Sequence, residues 1–105
     1  MENAKLIYNI LALLNKWLDD PKPDYGKLEA ASFAVSEKRF AHILMMLYNA
    51  GYIDGIEFFE VGAGEYDFKC ITPTITLRGL EYLETNDTMH KAYRAIKGIK
   101  DILPM

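Results

Sequence analysis

A single cysteine, Cys70, stands among 105 residues, so no intramolecular disulfide braces the fold. Zinc centres built on paired cysteines go with it. The two histidines, His42 and His90, lie far apart and form no His-x-x-Glu-His or similar ligand spacing, so the sequence offers no metal motif. Two glycines fall close together in GAGEYD at 62–67, but the lysine and following helix of a phosphate-binding loop are missing. Long apolar runs are missing too: the N-terminal segment is interrupted by Asn9, Asn15 and Lys16, too often for a signal or a membrane span. A cytoplasmic protein without membrane attachment is expected. Repeats and low-complexity tracts are also lacking, which removes solenoids and tails. These gaps together lead to the expectation of a protein that is not an enzyme, with no cofactor and no metal.

A basic excess is lacking as well. Twelve Lys and Arg face fifteen Asp and Glu, a formal net charge of -3. Proteins held on nucleic acid by phosphate contacts usually carry surplus positive charge, so any DNA contact here must come from a local patch.

What is present is enough apolar material for one core, half of the residues, and a length that suits a single domain over 1–105. Leu6, Ile7, Ile10, Leu14 and Trp17 recur at three- and four-residue steps, which predicts a helix over 4–18 with a buried stripe. Pro21 and Pro23 follow Asp19 and Asp20 and end it, since a proline disfavours helical geometry in the residue before it. A weaker pattern in Leu28, Ala31 and Phe33 predicts a two-turn second helix over 25–33. Ser36 is then an N-cap for a third helix over 36–50, with Phe40, Ile43, Leu44 and Leu47 as its core stripe and Gly51 as its stop.

After Gly51 the period shortens. Tyr52, Ile53, Ile56, Phe58, Phe59 and Val61 form a β-prone run, Gly62, Ala63 and Gly64 mark a turn, and Tyr66, Phe68 and Cys70 alternate with polar residues. This is a hairpin. Pro73 is expected to close its second strand, with Thr74 or Thr76 capping a helix that buries Leu77, Leu80 and Leu83 and flanks them with Tyr82. Asn86 and Asp87 break that helix, and a last one runs over about 88–103. Two strands cannot stand alone in water, so the hairpin must lie on the helices around it. The expected class is α+β, mostly helical: a winged helix-turn-helix of three helices and a β-hairpin wing, with additional C-terminal helices. Cys70 reads as a small core residue within the second strand.

The run AGYIDGI, followed by a strand ending in ITPTITLRGLEYLE, resembles many winged-helix proteins. More specifically, KLIYNIL, GYIDGI, ITLRGLEYL and KAYRAIKGIKDIL look like the YjcQ family of small bacterial and phage-associated winged-helix proteins. That resemblance covers nearly the whole chain and implies an architecture rather than an activity.

If the third helix is a recognition helix, the surface opposite its core stripe carries Lys38, His42, Met45 and Asn49, flanked by Arg39 and Met46. Lys38, Arg39, His42 and Asn49 are candidate contacts to phosphates and base edges. Met45 and Met46 suit an adaptable apolar interface with a protein instead. The wing is acidic: Asp54, Glu57, Glu60, Glu65, Asp67, Glu81 and Glu84 lie within 52–86 against Lys69 and Arg78. Such charge repels phosphate; it also keeps an exposed strand edge from pairing with a neighbour. In the last helix Lys91, Arg94 and Lys97 form a basic face, a candidate DNA strip or a solvated surface. Its apolar arc, Met89, Ala92, Tyr93, Ile96, Ile99 and Leu103, packs on the first helix of the same chain or builds a two-fold homodimer. The leading expectation is a bacterial or prophage transcription regulator that binds double-stranded DNA with the 36–50 helix. The alternative is an adaptor that binds another protein and no DNA.

Overall fold

The computed structural model describes residues 3–86. Helix α1 spans Asn3–Trp17 and buries Leu6, Ile10, Leu11, Leu14 and Trp17. Leu11 is fully buried while Ile7 stays half-buried, so the apolar stripe lies slightly rotated from the one expected. The expected helix over 25–33 is replaced by two 3₁₀ turns, Tyr25–Lys27 and Ala30–Phe33. The Asp24 carboxylate accepts from the Gly26 N–H, Glu29 is extended, and Ala34 turns left-handed at φ 57°. This broken path lets Leu28, Ala30 and Phe33 all point into the core, which one face of a two-turn helix would not allow.

Helix α2 spans Glu37–Asn49 and buries Phe40, Ala41, Ile43, Leu44 and Leu47. The Ser36 hydroxyl accepts from the Arg39 N–H at 3.1 Å, as its N-cap role requires. At the other end the Gly51 N–H reaches the Tyr48 carbonyl and the Tyr52 N–H the Leu47 carbonyl, a Schellman closure. Gly51 sits at φ 85°, a conformation that side-chain-bearing residues rarely adopt.

Strands β1, Ile53–Gly62, and β2, Glu65–Ile75, form one antiparallel hairpin joined at Ala63 and Gly64. Pro73 does not end β2, as was expected. It is buried beside a register shift where β1 advances from Asp54 to Ile56 while β2 goes from Thr74 to Cys70. No ladder donor is needed at such a bulge, so a proline fits. Gly55, at φ 78°, makes the bulge possible: a Cβ there would lie 1.9 Å from the Thr72 carbonyl oxygen.

Residues 77–86 are helical and are called α3. Thr76 caps it, its hydroxyl accepting from the Gly79 N–H at 3.2 Å. Leu83 is buried and Leu80 and Tyr82 half-buried, but Leu77 is 79% exposed, against expectation. It occupies the first turn of α3, on the side away from Ile75 and Tyr52, onto which Gly79 is pressed. Asn86, the last described residue, is helical and its side-chain amide donates to the Tyr82 carbonyl at 2.8 Å; the break expected at Asn86 and Asp87 falls at the limit of the described residues. The last helix expected over 88–103, with Lys91, Arg94 and Lys97, lies outside the described residues.

The architecture is therefore α+β, with helices packed against the base of a two-stranded hairpin. Phe40 stands at its centre, stacked on Phe33 and tilted against Phe68 of β2. Among the described residues no helix is long and apolar enough to cross a membrane.

Candidate functional site

The hairpin has two unlike faces, because alternate residues of a strand point to opposite sides. Ile56, Phe58, Phe68 and Cys70 face α2 and the core, while Phe59 and Ile71 stay exposed on the far side. Ring contacts fasten the inner face along the helix: Phe58 meets Tyr48 at 5.5 Å between centroids, and Tyr66 meets His42 at 6.2 Å. Cys70 sits opposite Ile56, and partial burial pushes its thiol up, away from the thiolate a nucleophile would need.

Between the first turns of α2 and the hairpin tip the packing opens into a cleft of about 460 Å³. Phe40, Phe68, Tyr66 and Val61 give it an apolar wall. Its ionisable lining is Glu29, Glu37, Glu65 and Asp67, with Lys38 and His42. A second hollow of about 370 Å³ lies on the other flank of α2, lined by Asn3, Ser36, Lys38, Arg39, His42, Ile43 and Met46. The exposed edge of α2 is thus a ridge between two hollows, and Lys38 and His42 border both.

On this ridge the residues expected to act together have different situations. Lys38 and Asn49 are exposed, and Met46 is exposed by 57%. Met45 is half-buried, as is His42 under the Tyr66 ring. Arg39 is exposed but engaged, its Nη1 donating to the Asn3 side-chain oxygen at 2.6 Å, which ties α2 to the start of α1. Lys91, Arg94 and Lys97 lie outside the described residues, so no strip joining them to α2 is drawn. Glu29, Val61 and Tyr66 enter the site without having been singled out. Tyr66 was legible, since strand alternation puts it on the side of Phe68 and Cys70; Glu29 was not, because an expected helix hid the extended residue that carries it.

The far end of α2 is closed. The Thr76 hydroxyl donates to the Gly51 carbonyl at 2.6 Å, the Thr76 N–H to the Tyr52 carbonyl at 3.1 Å, and Arg78 Nη1 to the Ala50 carbonyl at 3.3 Å. A cation on these last carbonyls also suits the negative end of the helix dipole. Gly79 lets α3 come close: a Cβ there would lie 2.5 Å from both the Tyr52 oxygen and Ile75 Cγ1. Tyr52 and Tyr82 complete the joint with ring centroids 5.6 Å apart. The segments GYIDGI and TLRGLEYL are therefore the two halves of one structural junction.

Both segments lie within the range that matches a known protein family. The family model described as YjcQ protein matches residues 8–102. The chain belongs to the YjcQ family. The uncharacterized protein YjcQ of Bacillus subtilis (strain 168) is 34% identical over 101 residues, covering 96% of this chain and 97% of that protein. No solved structure matches the chain. Membership of the family thus extends over the described fold and beyond α3, through residue 102.

Among the described residues no group of His, Cys, Asp and Glu is arranged to hold a metal ion, and no buried side-chain polar atom lacks a partner.

Proposed function

We propose that this member of the YjcQ family is a non-catalytic winged-helix module that binds another protein, with α2 in the recognition position and the hairpin as its wing. The observation that carries this reading is the cleft at the first turns of α2, where four carboxylates face Lys38 and His42. In helix-turn-helix proteins the N-terminal residues of the recognition helix meet the bases, and the flanking elements meet phosphates. Here those flanking elements bring Glu29, Glu65 and Asp67. Lining the same cleft as Lys38, these acids oppose a phosphate seated there by like-charge repulsion. Arg39 is already engaged with Asn3. Met46 and the aromatic wall offer what a protein surface uses instead, adaptable apolar contact beside polar groups.

Double-stranded DNA is the competing reading, favoured by the exposure of Lys38 and Asn49 on one face of α2. Fluorescence anisotropy with mixed-sequence duplexes at low salt separates the two. The protein-binding reading expects no saturation at micromolar protein and no effect of Lys38→Glu. A cross-linked pull-down from bacterial lysate should recover a discrete protein that Met46→Asp loses. Tight, salt-dependent duplex binding weakened by Lys38→Glu, with a pull-down indifferent to Met46→Asp, would reverse the assignment.

A further inference from the structure

The cleft between α2 and the hairpin tip gathers more negative charge than its own cations offset. Its four carboxylates come from three separate parts of the fold: Glu29 between the 3₁₀ turns, Glu37 in the first turn of α2, and Glu65 and Asp67 on β2. Lys38 and His42 are outnumbered in the lining even with both charged. Among the described residues the carboxylates of Glu29, Glu37 and Glu65 engage no partner. Asp67 commits one oxygen to the neighbouring Phe68 N–H at 2.8 Å.

Acids alone make no site, because water satisfies an exposed carboxylate. These surround an aromatic wall. Phe40 forms its buried floor, the half-buried Phe68 ring lies 5.8 Å from it, and the Tyr66 ring is held beside His42. The volume of about 460 Å³ falls within the range of about 300–1,000 Å³ typical of ligand sites. An occupant that complements both features carries a positive charge on a body that can lie against rings. A bare metal ion meets only the first condition, and no described group of acids is arranged to hold one. A lysine ammonium is compact and strongly hydrated, whereas an arginine guanidinium is planar, more weakly hydrated, stacks on aromatic rings and donates to carboxylates in pairs.

Resting on the reading of α2 as a protein-binding helix, we propose that the cleft receives an arginine side chain of the partner protein, its guanidinium against the aromatic wall and its donors on the rim carboxylates. Glu37 and Glu65 are the leading acceptors, since they flank the opening from the helix and from the hairpin and are otherwise unengaged. Met46 lines the hollow on the other flank of α2, so its contribution to the partner is separate.

The test titrates the ¹⁵N-labelled full chain with blocked heptapeptides that differ only in the central residue: arginine, lysine or citrulline, the neutral analogue of arginine. The arginine peptide should shift the amide signals of Lys38, Tyr66 and Phe68 saturably, the lysine peptide should bind more weakly, and the citrulline peptide should leave them in place. Glu65→Gln should weaken the arginine peptide about tenfold, the size of one charge-assisted hydrogen bond. Glu57→Gln removes the same charge from an exposed position outside the cleft and should leave the affinity within about twofold. Equal binding of the three peptides, or equal losses from the two substitutions, would overturn the assignment. Spermidine shifting the same signals as strongly as the arginine peptide would make the cleft a general cation trap and also overturn it. A partner captured through Met46 but indifferent to Glu37→Gln with Glu65→Gln would sink the arginine contact and leave the protein-binding reading standing. Duplex binding through Lys38 would instead remove both.

Discussion

The two ends of α2 are built on opposite plans. At its C-terminal end three consecutive carbonyls, those of Ala50, Gly51 and Tyr52, accept from the Arg78 side chain, the Thr76 hydroxyl and the Thr76 N–H. At its N-terminal end a cleft separates the helix from the hairpin tip, and five of the side chains around it, Glu29, Glu37, Lys38, Glu65 and Asp67, are charged. The closed end holds GYIDGI and TLRGLEYL, two of the segments on which the sequence resembles the YjcQ family. The closed end is fixed by hydrogen bonds to backbone carbonyls, whereas the open end presents the side chains of Lys38, Met46 and Glu65 to solvent. The two arginines of the region sharpen the point, because Arg39 and Arg78 both spend their guanidinium groups inside the chain.

The strongest attempt to break this contrast is Gly79→Ala. The new methyl group would meet backbone and side chain at 2.5 Å, and neither can yield without parting α3 from Tyr52. A loss of about 3 kcal/mol is expected in urea denaturation of the full chain, the upper range for overpacking. A loss of the size seen for ordinary surface changes, under about 0.5 kcal/mol, would mean that the closed end is not the lock. Next in size is a pair of hydroxyl deletions, one at each end. Thr76→Val removes both the bond to the Gly51 carbonyl and the α3 cap and should cost about 2 kcal/mol. Ser36→Ala removes one exposed cap and should cost about 1 kcal/mol. Equal losses would erase the distinction between the ends. The smallest effect concerns Cys70, which lies between them. Its raised folded-state pKa favours the thiol, so the associated stabilisation is present below the unfolded thiol's pKa and disappears as pH climbs through the folded value. Alkylation by iodoacetamide at mildly alkaline pH should accordingly be slower in the native chain than in urea. Equal rates would show that the hairpin's inner face is open to solvent.

Much of the fold was legible because it follows period. The 3.6-residue pattern located α1 and α2, Ser36 announced a cap, and the switch to alternation at Tyr52 announced the hairpin. Where local rules failed, tertiary contacts had overruled them. Tyr25 to Phe33 became two 3₁₀ turns because three apolar residues had to enter one core. Pro73 stayed inside β2 because Gly55 could bulge toward it, a pairing between positions 18 residues apart along the chain that no local pattern announces. The site was read less well than the scaffold. Helical spacing puts Lys38, His42, Met45 and Asn49 on one side of α2, of which Lys38 and Asn49 are exposed and His42 and Met45 half-buried, but it does not reveal the hairpin tip folded over its flank, nor the Asn3 side chain that claims Arg39. Those are encounters between distant segments, and charge counted along the chain does not say which acids will face which helix.

The bond from the Thr76 hydroxyl to the Gly51 carbonyl joins residues 25 apart, and everything between them is hairpin. The two feet of the hairpin are held together independently of what lies between, as the ends of a handle are held by its mounting. Its length is then free to vary. Doubling such a loop costs only about 0.6 kcal/mol in closure entropy, and the Ala63–Gly64 tip has open space around it. The hairpin is therefore a cassette: its length and charge can change while the mounting, and with it the fold, stays the same.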